Sequence, residues 1–154
     1  MKNAGQPLGK FNTQGRQSVP KVGMVLKLFV KDTNPPKEKR FIILGFTEDG
    51  VSLASVYINS DINPNINWAI ELKEQHVFFN KTGRPYLRHG SYIDCSKLIF
   101  RTTAEIQTAI TQRSDAVLGE LNSADLRTLI NKVRDSSTIK GKYKRKYGFF
   151  DFNN

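Results

Sequence analysis

The sequence predicts a mainly β protein: a small antiparallel barrel with a helix packed on it near the C-terminus. Three observations predict it. Strand-like apolar runs fill the first hundred residues and helical patterns follow, with no alternation of strand and helix between them. Two apolar runs, Phe41–Leu44 with Phe46 and then Val51, Leu53 and Val56–Ile58, flank Thr47-Glu48-Asp49-Gly50. Asp49-Gly50 supplies the positive φ values of a tight reversal, so the pair reads as a β-hairpin. Downstream, Thr102-Thr103-Ala104-Glu105 is a capping box, and Leu126, Leu129, Ile130 and Val133 form one helical face.

Taken in order, residues 1–20 are rich in Gly, Gln, Asn and Lys and read as a flexible basic arm ended by Pro20. Residues 21–136 form the barrel with its helix, and residues 137–154 a basic aromatic tail. Val22–Val30 is the first strand, with Gly23 allowing a bulge or a close backbone approach. Lys31–Lys39 is a charged loop stiffened by Pro35-Pro36. After the hairpin comes a turn-rich loop over 61–67, then Trp68. Glu71–Phe79 reads as a strand, Arg84–Gly90 as a basic aromatic loop and Ser91–Phe100 as the last strand. Ile106, Ala109 and Ile110 mark a short helix. Asn122 caps a second one, with Leu121 and Leu126 as its hydrophobic staple and Asp125 at its positive end. The aromatic residues of the tail either meet a ligand or pack back on the barrel. Phe149, Phe150 and Phe152 are too apolar to suit water.

Composition narrows the class. The formal charge is +10, and its excess sits in the two ends of the chain. Such ends suit a polyanion, nucleic acid or an acidic protein, or serve only solubility. A single cysteine, Cys95, excludes an internal disulfide and a paired-cysteine zinc site. No metal-ligand spacing, no phosphate-binding glycine loop and no need for a cofactor are legible. With no apolar signal core and no membrane-length run, a cytoplasmic protein without membrane contact is expected.

The hairpin carries the polar chemistry. It begins at Arg40 and ends at Asn59, Ser60, Asp61 and Asn63. The two ends of a hairpin share one edge of a sheet, so Arg40 and the Asn59-Ser60 pair are expected to be neighbours. A guanidinium beside amide and hydroxyl groups suits a phosphate; a surface loop bonded to itself fits equally well.

In its order of elements the chain resembles the MazF/PemK family of toxin endoribonucleases, whose fold is an SH3-like barrel shared with CcdB-type toxins. Val22-Gly23-Met24-Val25 resembles the opening strand. Lys39-Arg40 before Phe41–Leu44 resembles the basic start of the second strand. Ser91–Leu98 resembles the late strand, and Asn122–Asp135 the C-terminal helix. The likeness spans roughly residues 20–135. The chain departs from the family pattern in two places. Phe41 stands where a proline commonly follows the arginine, and Ile58-Asn59-Ser60 holds no threonine where the family has a catalytic one.

The resemblance implies a metal-independent, sequence-preferring endoribonuclease of a toxin–antitoxin system. It acts on single-stranded RNA as a homodimer and is held in check by an acidic antitoxin protein. The RNA 2′-hydroxyl attacks its own phosphate. This requires a proton acceptor, a proton donor for the 5′-oxygen and positive charge for the phosphate oxygens. Arg40 would clamp the phosphate, Ser60 or Asn59 would bond to it, and Glu38 is the nearest base. Lys39, Arg84, Tyr86, Arg88 and His89, with Lys144 and Arg145 of the tail, would contribute cations and flat rings for single-stranded RNA. Each has a structural alternative, such as an Arg40–Glu38 surface ion pair. The rival reading is the same barrel binding nucleic acid without catalysis.

Overall fold

In a computed structural model, residues 19–63 and 69–152 are described. Nearly all of the expected N-terminal arm, part of the 61–67 loop and Trp68 lie outside them. The fold is mainly β, a curled antiparallel sheet in the form of a half-barrel, with helices packed on it. Its strands are β1 (Met24–Val30), β2 (Lys37–Phe46), β3 (Ser52–Asn59), β4 (His76–Phe79), β5 (Ser91–Asp94), β6 (Ile99–Thr102) and β7 (Val117–Glu120). The helices are α1 (Ile70–Glu74), α2 (Thr103–Gln112), α3 (Ser123–Asp135) and α4 (Gly141–Lys146). The sheet runs β4-β5-β3-β2-β1-β7, and β6 pairs with the first half of β3. Among the described residues no helix is long and apolar enough to cross a membrane.

The continuous apolar runs of β1 to β3 have a direct cause: these strands are buried on both faces. Val25, Ile42, Leu44, Ala54 and Val56 face a core completed by Leu129, Ile130 and Val133 of α3. Their neighbours Leu26, Phe41, Ile43, Leu53 and Tyr57 face a second core with Ile106 and Ile110 of α2. Both helix starts are capped as read. Thr102 and Glu105 exchange bonds at α2, and Asn122 Oδ1 accepts from the Asp125 amide at α3.

The structure corrects four readings. β2 begins at Lys37, so Glu38 and Lys39 belong to a strand paired with Phe29 and Leu28, not to the preceding loop. The expected strand over 71–79 is a short helix, α1, followed by β4. The stretch Ser91–Phe100 is two strands, β5 and β6, because the chain turns at 95–98 and meets β3 twice. Nor is it the last: β7 closes the far edge against β1, and the pairing slips by a bulge between Val25 and Leu26. Gly23, just before β1, takes φ 91°, a left-handed conformation, and its amide bonds the Ile43 carbonyl.

The residues of the tail pack back on the barrel. Ile139, Tyr147 and Phe149 are buried in the α3 core, and Phe152 lies against it, while Phe150 is exposed. Gly45 makes room for them. A Cβ there would lie 2.4 Å from the Tyr147 carbonyl oxygen.

Candidate functional site

The hairpin ends meet as expected. Arg40 pairs directly with Ile58, so β2 begins where β3 ends. Over this end of the sheet lies an open pocket of about 690 Å³. Seven of the expected site residues line it: Glu38, Lys39, Arg40, Asn59, Ser60, Arg88 and His89. Lys27, Lys37 and Lys97 bring its cationic side chains to six, against four carboxylates.

Among the described residues neither Arg40 nor Arg88 makes an ion pair, and the buried Nε of Arg40 has no hydrogen-bond partner. Burial lowers the Arg40 pKa from its ordinary value, and the charge of Arg88 lowers it further, against the pull of Glu38. Two unpaired guanidiniums repel each other, and a bound anion relieves that repulsion.

Lys39 lies on the opposite face of the ladder from Arg40, since neighbours on a strand alternate. Its ammonium donates to Asn59 Oδ1 and sits 4.9 Å from the Tyr57 ring centre. Burial, reinforced by the charges of Lys37 and Lys97, lowers its pKa from 10.5 to about 8. Tyr57 is a fixed wall beside it. Its hydroxyl donates to the Asp32 carboxylate at 2.8 Å and accepts from Arg101 at 2.9 Å. Burial and that carboxylate push the Tyr57 phenol up to about 12, so it stays protonated.

His89 has a defined tautomer. Its Nδ1 lies 2.8 Å from the Gly90 carbonyl oxygen, which only accepts, so Nδ1 carries hydrogen and Nε2 keeps its lone pair when the ring is neutral. Ser60 Oγ is 3.5 Å from that Nε2. The hydroxyl considered in place of the missing threonine therefore stands next to the histidine.

Glu38 lines the pocket while held in ion pairs. Its carboxylate is 3.3 Å from Arg113 and 4.0 Å from Lys27. Arg113 was not legible as its partner, because 75 residues separate the two in sequence.

Three expected binders lie elsewhere, held inside the fold. The Arg84 guanidinium makes two bonds to Asp125, at 2.8 and 2.9 Å, and lies over the Phe79 ring. Tyr86 is buried, and burial pushes its phenol up to about 12, with Asp125 adding to the shift. Lys144 donates at 2.8 Å to the carbonyls of Arg134 and Ser136, capping the negative end of α3. Arg145 is exposed on α4, outside the pocket lining.

The two remaining reactive side chains are structural in geometry. Cys95 is fully buried, which, with Asp94 beside it, pushes its thiol up to about 12. The His76 side chain is buried, with Nδ1 at 2.8 Å from the Leu72 carbonyl oxygen. Its Nε2 lies 3.5 Å from Asp94, within ion-pair distance but without hydrogen-bond geometry. Among the described residues no three His, Cys, Asp or Glu side chains converge as a metal site. No protein-family model matches the chain, and no curated protein sequence matches it.

Proposed function

We propose that this pocket binds the phosphodiester backbone of single-stranded RNA and cleaves it as a metal-independent, toxin-like endoribonuclease. The observation that carries the reading is one pocket in which, among the described residues, Arg40 and Arg88 have no ion-pair partner, beside His89 and a lysine whose pKa burial lowers to about 8. Arg40 and Arg88 hold the non-bridging oxygens. His89 Nε2 takes the proton from the 2′-hydroxyl, whose oxygen attacks phosphorus. The bond from phosphorus to the 5′-oxygen breaks, and the Lys39 ammonium protonates that oxygen. The products are a 2′,3′-cyclic phosphate and a free 5′-hydroxyl. Ser60 and Asn59 bond to the phosphate and the ribose. His89 replaces Glu38 as the proton acceptor in this scheme. A homodimer and an acidic protein inhibitor that fills the cationic pocket belong to the same reading.

The test is incubation of the purified protein with mixed-sequence single-stranded RNA in EDTA, beside Arg40→Ala. The reading requires defined fragments ending in 2′,3′-cyclic phosphate, at least about 100-fold slower for the variant. RNA that stays intact yet shifts on a gel would overturn the enzyme and leave a nucleic-acid-binding barrel.

A further inference from the structure

Beside the pocket, one face of the sheet carries a row of side chains in register. Phe78 of β4 pairs with Tyr92 of β5, and Tyr92 pairs with Asn59 of β3. Asn59 in turn holds the Lys39 ammonium of β2. Directly paired residues point to the same face, and neighbouring strands are about 4.8 Å apart. The row therefore runs from two aromatic rings straight to the cationic end of the sheet. The rings meet edge to face, with centres 5.2 Å apart and planes at 60°. Phe78 is 55% exposed although it belongs to a regular strand. Its ring is nonetheless seated against the Gly90 backbone: a Cβ on Gly90 would lie 2.6 Å from its Cζ.

A seated aromatic pair, with Phe78 exposed and Tyr92 partly so, in register with the cationic Lys39 at the pocket is the combination that single-stranded nucleic acid requires, flat faces for bases and charge for phosphates. A partner recognised by apolar burial alone would not need the row to end in Lys39 and Asn59. We infer that Phe78 and Tyr92 form a stacking platform for unpaired bases of the strand whose phosphate occupies the Arg40 pocket. This rests on the phosphodiester reading of that pocket and adds to it the site that holds the bases. It also accounts for a preference for single strands, because bases in a duplex are stacked on one another and do not present their faces.

The test is fluorescence anisotropy with a labelled single-stranded RNA bearing 2′-O-methyl groups, which removes the attacking hydroxyl. An abasic sugar-phosphate chain of the same length serves as the second probe at the same salt. Phe78→Ala and Tyr92→Ala are each expected to weaken RNA binding about 5- to 100-fold and to leave abasic binding unchanged. Phe78→Leu keeps apolar packing without the ring and should behave as Phe78→Ala, which guards against a folding defect. Phe78→Trp should keep affinity and show fluorescence quenched by RNA and not by the abasic chain. RNA affinity unchanged in both Phe78→Leu and Tyr92→Ala, or equal losses for both probes, would overturn the platform while leaving the phosphate site intact. Failure of the wild-type protein to bind either probe would overturn both.

Discussion

Arg84 and Arg88 stand in the same short loop, yet they have opposite surroundings. Arg84 faces the start of α3 and is held in two bonds by the buried carboxylate of Asp125. Arg88 lines the pocket at the end of the β2–β3 ladder with Arg40, and among the described residues neither guanidinium has an ion pair. Lys144 and Lys39 repeat the contrast. The first meets two helix-end carbonyls; the second meets one side-chain amide oxygen, and the charges of Lys37 and Lys97 act on it as well as those of Asp94 and Asp32. The difference teaches that a basic residue indicates a ligand only where the fold leaves its charge uncompensated. The net charge of the chain says little about which residues those are.

Substitutions that exchange the two behaviours break or sharpen this contrast. The largest effect is expected at Arg40. Arg40→Ala should reduce RNA cleavage by at least about 100-fold, with a melting temperature no lower than that of the wild type, since no partner is left unpaired. Arg84→Ala should do the reverse. It strands a largely buried carboxylate at the cap of α3, a loss of about 2–3 kcal/mol after allowance for the pair's partial exposure. Chemical denaturation would read this as a lower midpoint, and cleavage measured well below the melting temperature should persist. Lys144→Met is expected to cost about 1–2 kcal/mol by releasing two carbonyls at the end of α3, again without a direct effect on cleavage.

The smallest stability effect is expected at Lys39 and has the opposite sign. Its folded pKa of about 8 lies below the ordinary 10.5. Between those values the unfolded chain binds more protons, so the stability contributed by this group rises with pH across that window, and below pH 8 the charged form opposes folding. Lys39→Met should therefore raise stability at pH 7 by about 1 kcal/mol or less, once solvent screening is allowed for, while slowing cleavage. In the proposed role of proton donor, Lys39 must be charged. The rate of the wild type should fall above pH of about 8, and that limb should vanish in Lys39→Met.

Much of the fold was legible because its causes are local. Continuous apolar runs and turn chemistry gave β1 to β3, and both helix caps follow from side chains within three residues of the backbone groups they satisfy. The short strands were not legible. β7 has four residues, VLGE, with no alternation, and only its pairing with β1 makes it a strand. The break between β5 and β6 depends on β3 receiving both, which the apolar run through Ile99-Phe100 hides. At the site, the meeting of Arg40 with Asn59-Ser60 followed from hairpin geometry alone. The separation of Arg84 from Arg88, the Glu38–Arg113 pair and the Phe78–Tyr92 row all depend on contacts between distant segments, which one-dimensional pattern does not encode.

The central claim is that the uncompensated guanidiniums of the pocket bind phosphates. It is tested most directly by the salt dependence of affinity for a non-cleavable single-stranded RNA. The wild type would be compared with the Arg40→Ala/Arg88→Ala double variant, and Arg84→Ala would serve as the control. Each lost phosphate contact should reduce the slope of log affinity against log salt by about 0.7. The double variant should therefore lose about 1.4 of slope, and Arg84→Ala, once folded, none. An unchanged slope in a folded double variant, or an equal loss in Arg84→Ala, would contradict the account.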